Sequence, residues 1–226
     1  MTCIRLGRAG LGLVLVLVLV AVLSGCAGKR APDWQMNASS LADRAALAWL
    51  EGNTRIEDAE YRRALSEVSR SGQPALVLRL ALVRCAARVA SLEDVPCPSP
   101  DQIARDGTPH EQAYARYLSG QAQIADAALL PAAHRGMVDT GAGAADLARI
   151  ENPQSRLIAA GVLFRQGRAD PQVMAQAIDA ASAQGWRRPL LAWLRVAQER
   201  ARAAGATDEV QALQRRIDIV APATQP

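Results

Sequence analysis

PLLAWLRVAQERARAAG (Pro189–Gly205), followed by ATDEVQALQRRIDIV (Ala206–Val220), carries the plan of the whole chain. In the first segment Leu190, Trp193, Leu194, Ala197, Ala201 and Ala204 recur at steps of three and four, which is one apolar stripe on an α-helix. Gly205 stands where that helix must stop. Val210, Leu213 and Ile217 then give a second helix its own stripe. Alanine along the facing side lets two backbones approach closely, so the spacing predicts a tight antiparallel hairpin.

The preceding segment repeats the arrangement. Leu157, Ala160, Gly161 and Phe164 form a stripe, Gly167 closes it, and Val173, Ala177 and Ala180 begin the next. The two units start near Pro153 and Pro189, an offset of 36 residues. They resemble tetratricopeptide (TPR) repeats, helix pairs that recur at about 34 residues. In the last unit Leu194, Gly205, Val210, Leu213, Ile217 and Pro222 fall near that family's apolar, turn, second-helix and closing-proline positions, while Gln198 stands where the family prefers a small residue. The resemblance covers residues 153–222, with residues 40–92 a weaker candidate. It implies a TPR-like right-handed solenoid; an irregular helical bundle is the alternative.

Elsewhere, prolines and caps mark helix starts. Thr108-Pro109-His110-Glu111 is a capping box with proline at the first helical position, and Ser40-Leu41-Ala42-Asp43 is a near match. Asn152-Pro153 and Asp170-Pro171 repeat the cap-then-proline start. The expected helices are 40–51, 55–71, 74–92, 109–119, 122–138 (broken near Pro131), 143–151, 153–166, 171–184, 189–204 and 207–220. No mature segment alternates with period two, so the fold class is all-α. Residues 26–39 read as a tether, 40–220 as one helical domain and 221–226 as a disordered tail.

The N-terminus assigns a location. Arg5 and Arg8 precede a thirteen-residue run, Leu11–Leu23, whose one non-aliphatic member is Gly12. A spanning helix needs roughly 20 apolar residues, so this is the layout of a signal peptide, residues 1–25. Leu23-Ser24-Gly25-Cys26 resembles the lipobox of bacterial lipoproteins. That resemblance implies that Cys26 becomes the first mature residue and carries diacylglyceryl and N-acyl lipid, with no other cofactor. Ala27 and Gly28 lack the aspartate that retains such proteins at the inner membrane, so the expected address is the outer membrane, facing the periplasm.

Export also bears on the other cysteines. Cys3 leaves with the signal peptide and Cys26 takes lipid, which leaves Cys85 and Cys97 in an oxidising compartment, where they are expected to pair. With no neighbouring histidine and no CxxC spacing, they make a poor metal site. Removing residues 1–25 takes away two arginines and no acid, so the formal charge falls from +4 to +2. Without a basic block there is little to hold a nucleic acid. Lys29 is the one lysine beside 25 arginines, a bias that reads as GC-rich coding. Lys29 and Arg30, just after the lipid, suit anionic headgroups.

Chemistry is sparse. Val138-Asp139-Thr140-Gly141-Ala142 resembles the catalytic loop of aspartic proteases, but that mechanism needs two such carboxylates on β-strands; a helix end and turn is the simpler reading. His110 and His134 are the only histidines, and no acid stands at metal-ligand spacing from His134. Both read as surface or partly buried residues. Glu57, Asp58 and Glu60 read as acids favoured by a helix N-terminus. Tyr114, Tyr117, Trp186 and Trp193 are further candidates for a binding surface, although with eight aromatic residues in the chain most are expected in the core. Arg188, Arg195 and Arg202, seven apart, share one helical face with Glu199 and are the candidate partner-binding residues, their solvated alternative being helix-surface ion pairs with Glu199. No catalytic constellation, metal site or small-molecule ligand is indicated. The sequence thus predicts a lipid-anchored envelope scaffold for proteins or peptides, with a cell-wall enzyme or a small accessory subunit of an envelope complex as rivals.

Overall fold

The computed structural model describes residues 32–94 and 97–221, and every regular element among them is a helix. In chain order these are α1 (Asp33–Glu51), α2 (Thr54–Ser69), α3 (Pro74–Ala90), α4 (Pro100–Asp106), α5 (Pro109–Leu118), two 3₁₀ segments η1 (Ile124–Leu129) and η2 (Ala132–Val138), α6 (Ala144–Ala148), α7 (Pro153–Arg165), α8 (Pro171–Ala183), α9 (Arg187–Ala203) and α10 (Thr207–Val220). The signal peptide, Cys26, Lys29, Arg30, Pro222 and residues 223–226 lie outside the described residues, as do Val95 and Pro96. No described helix is long and apolar enough to cross a membrane.

The expected hairpins form. Gly167 and Gly205 take φ values of 69° and 71°, which only glycine adopts without strain, and each turns the chain from one helix into the next. Asn152 and Asp170 cap α7 and α8 through side-chain bonds of 2.8 Å to the Ser155 and Val173 N–H groups. Leu157, Val173, Ala177, Trp193 and Leu194 are fully buried. Gln198, the residue that departs from the repeat pattern, is buried too. Its amide donates to the Val210 carbonyl and to Gln214 Oε1 at 3.3 and 2.9 Å, so it ties α9 to α10.

Four expectations need correction. The residues read as a tether are helical from Asp33 onward, so Ser40 lies inside α1 and accepts a bond from Arg44 instead of capping. Residues 122–138 form two 3₁₀ segments on either side of Pro131, which cannot donate to a continuous helical ladder. A helix unforeseen in the sequence, α4, starts at Ser99-Pro100, with the Ser99 hydroxyl accepting from the Gln102 N–H at 3.2 Å. And α9 begins at Arg187, which leaves Pro189 within its first turn.

Contacts between distant helices gather the hairpins into a bundle. Consecutive helices pack along α7–α8–α9–α10, as stacked hairpins do, but α3 also packs on α7 and α1 on α9. In an open solenoid each repeat touches only its neighbours. The α3–α7 seam is especially close: a Cβ at Gly161 would overlap the Val89 carbonyl.

Arginine closes many of the remaining joints. Arg156 donates to the Ile150 carbonyl (2.9 Å), Arg165 to those of Leu118 and Glu93 (3.3 and 3.1 Å), and Arg200 to that of Ala169 (3.2 Å). A guanidinium offers five donors in a fixed fork, which suits the orphan carbonyls at helix ends. The sulfurs of Cys85 and Cys97 stand at disulfide distance, with Cα atoms 5.3 Å apart, joining α3 to the segment before α4. Cys97→Ser should lower stability by roughly 3 kcal/mol in the chain-entropy account of a loop this short. Urea midpoints with and without reductant measure it; insensitivity to reductant would show that the link carries no stability.

Candidate functional site

The three candidate arginines separate. Arg195 and Arg202 are exposed, and Arg202 pairs with Glu199. Arg195 makes no ion pair among the described residues. Arg188 does not share their setting. It lies over the Trp49 ring, 3.7 Å from the centroid, and donates to the Trp49 carbonyl (2.9 Å), Thr54 Oγ1 (2.7 Å) and Glu93 (3.2 Å). Seven-residue spacing put it on the right face, but at that level of α9 the neighbour is α1 rather than solvent. Arg188 therefore fastens α9 to α1.

The acids read as helix-dipole partners also take a structural part. Glu57 is only 1% exposed. Arg84 grips both its oxygens, at 2.6 and 2.9 Å, and Arg88 approaches to 3.5 Å. Arg84 covers the Tyr61 ring and Arg88 the Trp49 ring, so Trp49 contacts two guanidinium groups. Asp126 is likewise held by Arg116, which together with the Gln123 N–H lowers its pKa. For Glu111, burial alone would raise the pKa. Hydrogen bonds from Thr108 and Arg79 outweigh it and hold the carboxyl below its ordinary value. Each of these buried carboxylates is occupied by arginine, an arrangement that fixes helices.

His134, expected at the surface or partly buried, is 2% exposed among Tyr114 and Tyr117, whose hydroxyls burial pushes well above 10. Tyr117 Oη lies 3.2 Å from its Nδ1. Burial lowers the His134 pKa from 6.5 to about 4. The unfolded chain thus takes up a proton near pH 6.5 that the folded chain refuses until about pH 4. Stability from this residue is complete above that window and should fall by about 3 kcal/mol across it. The lowered Glu111 and Asp126 groups act further down, below ordinary carboxylate values. Denaturation at pH 7 and pH 4.5 checks this, since His134→Phe should flatten the slope; an equally steep slope in the variant would assign it elsewhere.

Sequence reasoning missed a sizeable concave surface. A groove of about 540 Å³ opens between α3, α5 and the 3₁₀ segments. Leu82, Val83, Leu129 and Pro131 supply apolar walls, and Arg79, His110 and Arg135 supply polar ones. Nδ1 of His110 is 2.8 Å from the Leu129 carbonyl, which can only accept, so His110 donates from Nδ1. Arg135 spends its Nε on the Leu130 carbonyl at 3.1 Å and keeps both Nη groups. Arg79 binds Glu111, yet its side chain is 58% exposed. A second hollow of about 240 Å³ lies between α1, α2 and α3 and shares Arg79 and Val83 with the first. Leu76, Arg79, Leu80 and Val83, at helical spacing, are the only trace of it in the sequence. Asp139-Thr140-Gly141 is the expected turn, its Asp139 Oδ1 accepting from the Gly141 N–H at 2.7 Å. No group of three or more metal-ligating side chains occurs among the described residues. No protein-family model, curated protein or solved structure matches this chain.

Proposed function

We propose that this protein is a lipid-anchored lipoprotein of the bacterial envelope that works as an interaction scaffold for envelope proteins or peptides, held at the outer membrane through Cys26. The observation that carries the reading is the Leu23-Ser24-Gly25-Cys26 motif behind a short apolar run, which gives the chain a tether and an oxidising compartment. The body supports it by being built for rigidity: its buried acids hold helices together, and α9 is fixed to α1, α8 and α10 on its inner sides. The exposed side of α9 presents Arg195 and Arg202 from that frame, and a partner carrying acidic residues would complement it.

Cys26→Ser should abolish lipid labelling and leave precursor or released protein in fractionated cells. Palmitate-free wild-type protein in the membrane fraction would overturn the anchor. Arg195→Ala with Arg202→Ala should reduce capture of crosslinked envelope proteins while circular dichroism and melting stay near wild type, because exposed pairs contribute about 0–1 kcal/mol. Undiminished capture would return both arginines to an ordinary solvated face.

A further inference from the structure

Four tryptophans occur in the chain, and three of them, Trp49, Trp186 and Trp193, are buried. Trp34 is the exception. It lies half-buried in the first turn of α1, bordering the α1–α2–α3 hollow with Ala38, Val68 and Leu76. Met36, in the same turn, is 47% exposed, and Pro32, just before it, is exposed as well. Trp34 and Met36 stand two positions apart, about 200° around the helix, so no single flank of α1 presents both. What they share is height, since both ring the free end of the helix. Val68 and Leu76 meet Trp34 around one hollow, so α2 ends and α3 begins at this level, and the exposed Arg70, paired with Glu67, belongs to it. Of the exposed large apolar side chains among the described residues, Met36 is the nearest in sequence to Cys26. Asp33 is seven residues from Cys26, a reach of at most about 25 Å. A rim of this kind suits the interface of a bilayer rather than its hydrocarbon. There Asp33, the Arg70–Glu67 pair and the open N–H groups of a helix start keep water and headgroup oxygens, and tryptophan settles at that level.

We propose that the first turn of α1 seats end-on in the bilayer interface, with Trp34 and Met36 among the lipid headgroups and the helix leading away from the membrane. The partner is a lipid surface, and the proposal rests on the anchor read above. Because the lipid on Cys26 already holds the chain, what the seat adds is orientation. α1 rises about 27 Å from Asp33 to Glu51, so its junction with α9 at Trp49 and Arg188 stands about that far from the bilayer.

The test uses the protein purified from cells in detergent, its Cys26 lipid read by intact mass. It is reconstituted in phosphatidylcholine–phosphatidylglycerol vesicles brominated at a shallow or a deep acyl position. Bromine quenches indole emission at close range, so shallow bromines are expected to quench Trp34 roughly twofold more than deep ones. Trp34→Phe should abolish that quenching, since the other three indoles are buried. Met36→Asp, an exposed change that leaves circular dichroism at wild type, puts a charge in the seat and should lower the quenching roughly threefold. Wild-type emission untouched by shallow bromines would overturn the seat and leave the anchor standing. So would quenching that is equal in Trp34→Phe, or unchanged by Met36→Asp. A Cys26 found without lipid removes the anchor reading instead. Coupling its thiol to a maleimide lipid then supplies the tether, and the same comparison of variants decides the seat by itself.

Discussion

Trp193→Ala is expected to lower stability by about 3–5 kcal/mol, a large part of the margin by which a domain of this size stays folded. The indole is completely buried, its ring meets Phe164 edge-on with centroids 5.9 Å apart, and its Nε1–H donates to the Ala90 carbonyl at 3.2 Å. Truncation removes the volume and also leaves an α3 carbonyl without its donor. Trp193→Phe isolates the second effect, since it keeps most of the volume and should cost about 1–3 kcal/mol. Urea titration of both variants reads the difference. A loss below about 1 kcal/mol for the alanine variant would mean that the Trp193 indole is not buried against Phe164 and the Ala90 carbonyl as described.

A comparable loss is expected where the chain buries charge. Glu57→Ala should cost about 3–5 kcal/mol, because Arg84 and Arg88 would be left half-buried over aromatic rings without the carboxylate that holds them. Taking the ion pair away as a unit should be milder: Glu57→Met with Arg84→Met leaves fewer unpaired charges and is expected to recover part of the loss. If the double change were as damaging as the sum of the two singles, the pair would not be coupled and each residue would stabilise the fold independently of the other.

Fold class was legible because helical periodicity and stop signals depend on neighbours three or four residues away. The stripes at Leu190–Ala201 and Leu157–Gly161, with glycine after each, led directly to α7–α10. What the sequence hid is set by distant neighbours. Arg188 shares a helical face with Arg195, and only the arrival of α1 beside the first turn of α9 makes it a fastener. Glu57 reads as a dipole partner until Arg84, 27 residues away, is brought against it. The Ser99-Pro100 start of α4 went unread, because seven residues carry too little periodicity to display a helix. The groove left almost no trace, because its walls come from α3, α5 and two 3₁₀ segments that read in sequence as one helix broken near Pro131.

Arg188 also has a bearing on how the chain reaches its final state. Its bond to the Trp49 carbonyl joins residues 139 apart, and the Trp193 bond to Ala90 joins residues 103 apart. The first helices thus acquire their last partners only when nearly the whole polypeptide has emerged. A chain that enters the envelope N-terminus first would display the unfinished sides of α1 and α3 throughout its passage, open to proteases and holding factors until α9 arrives. Completion of the C-terminal hairpins is the step that seals the beginning of the molecule.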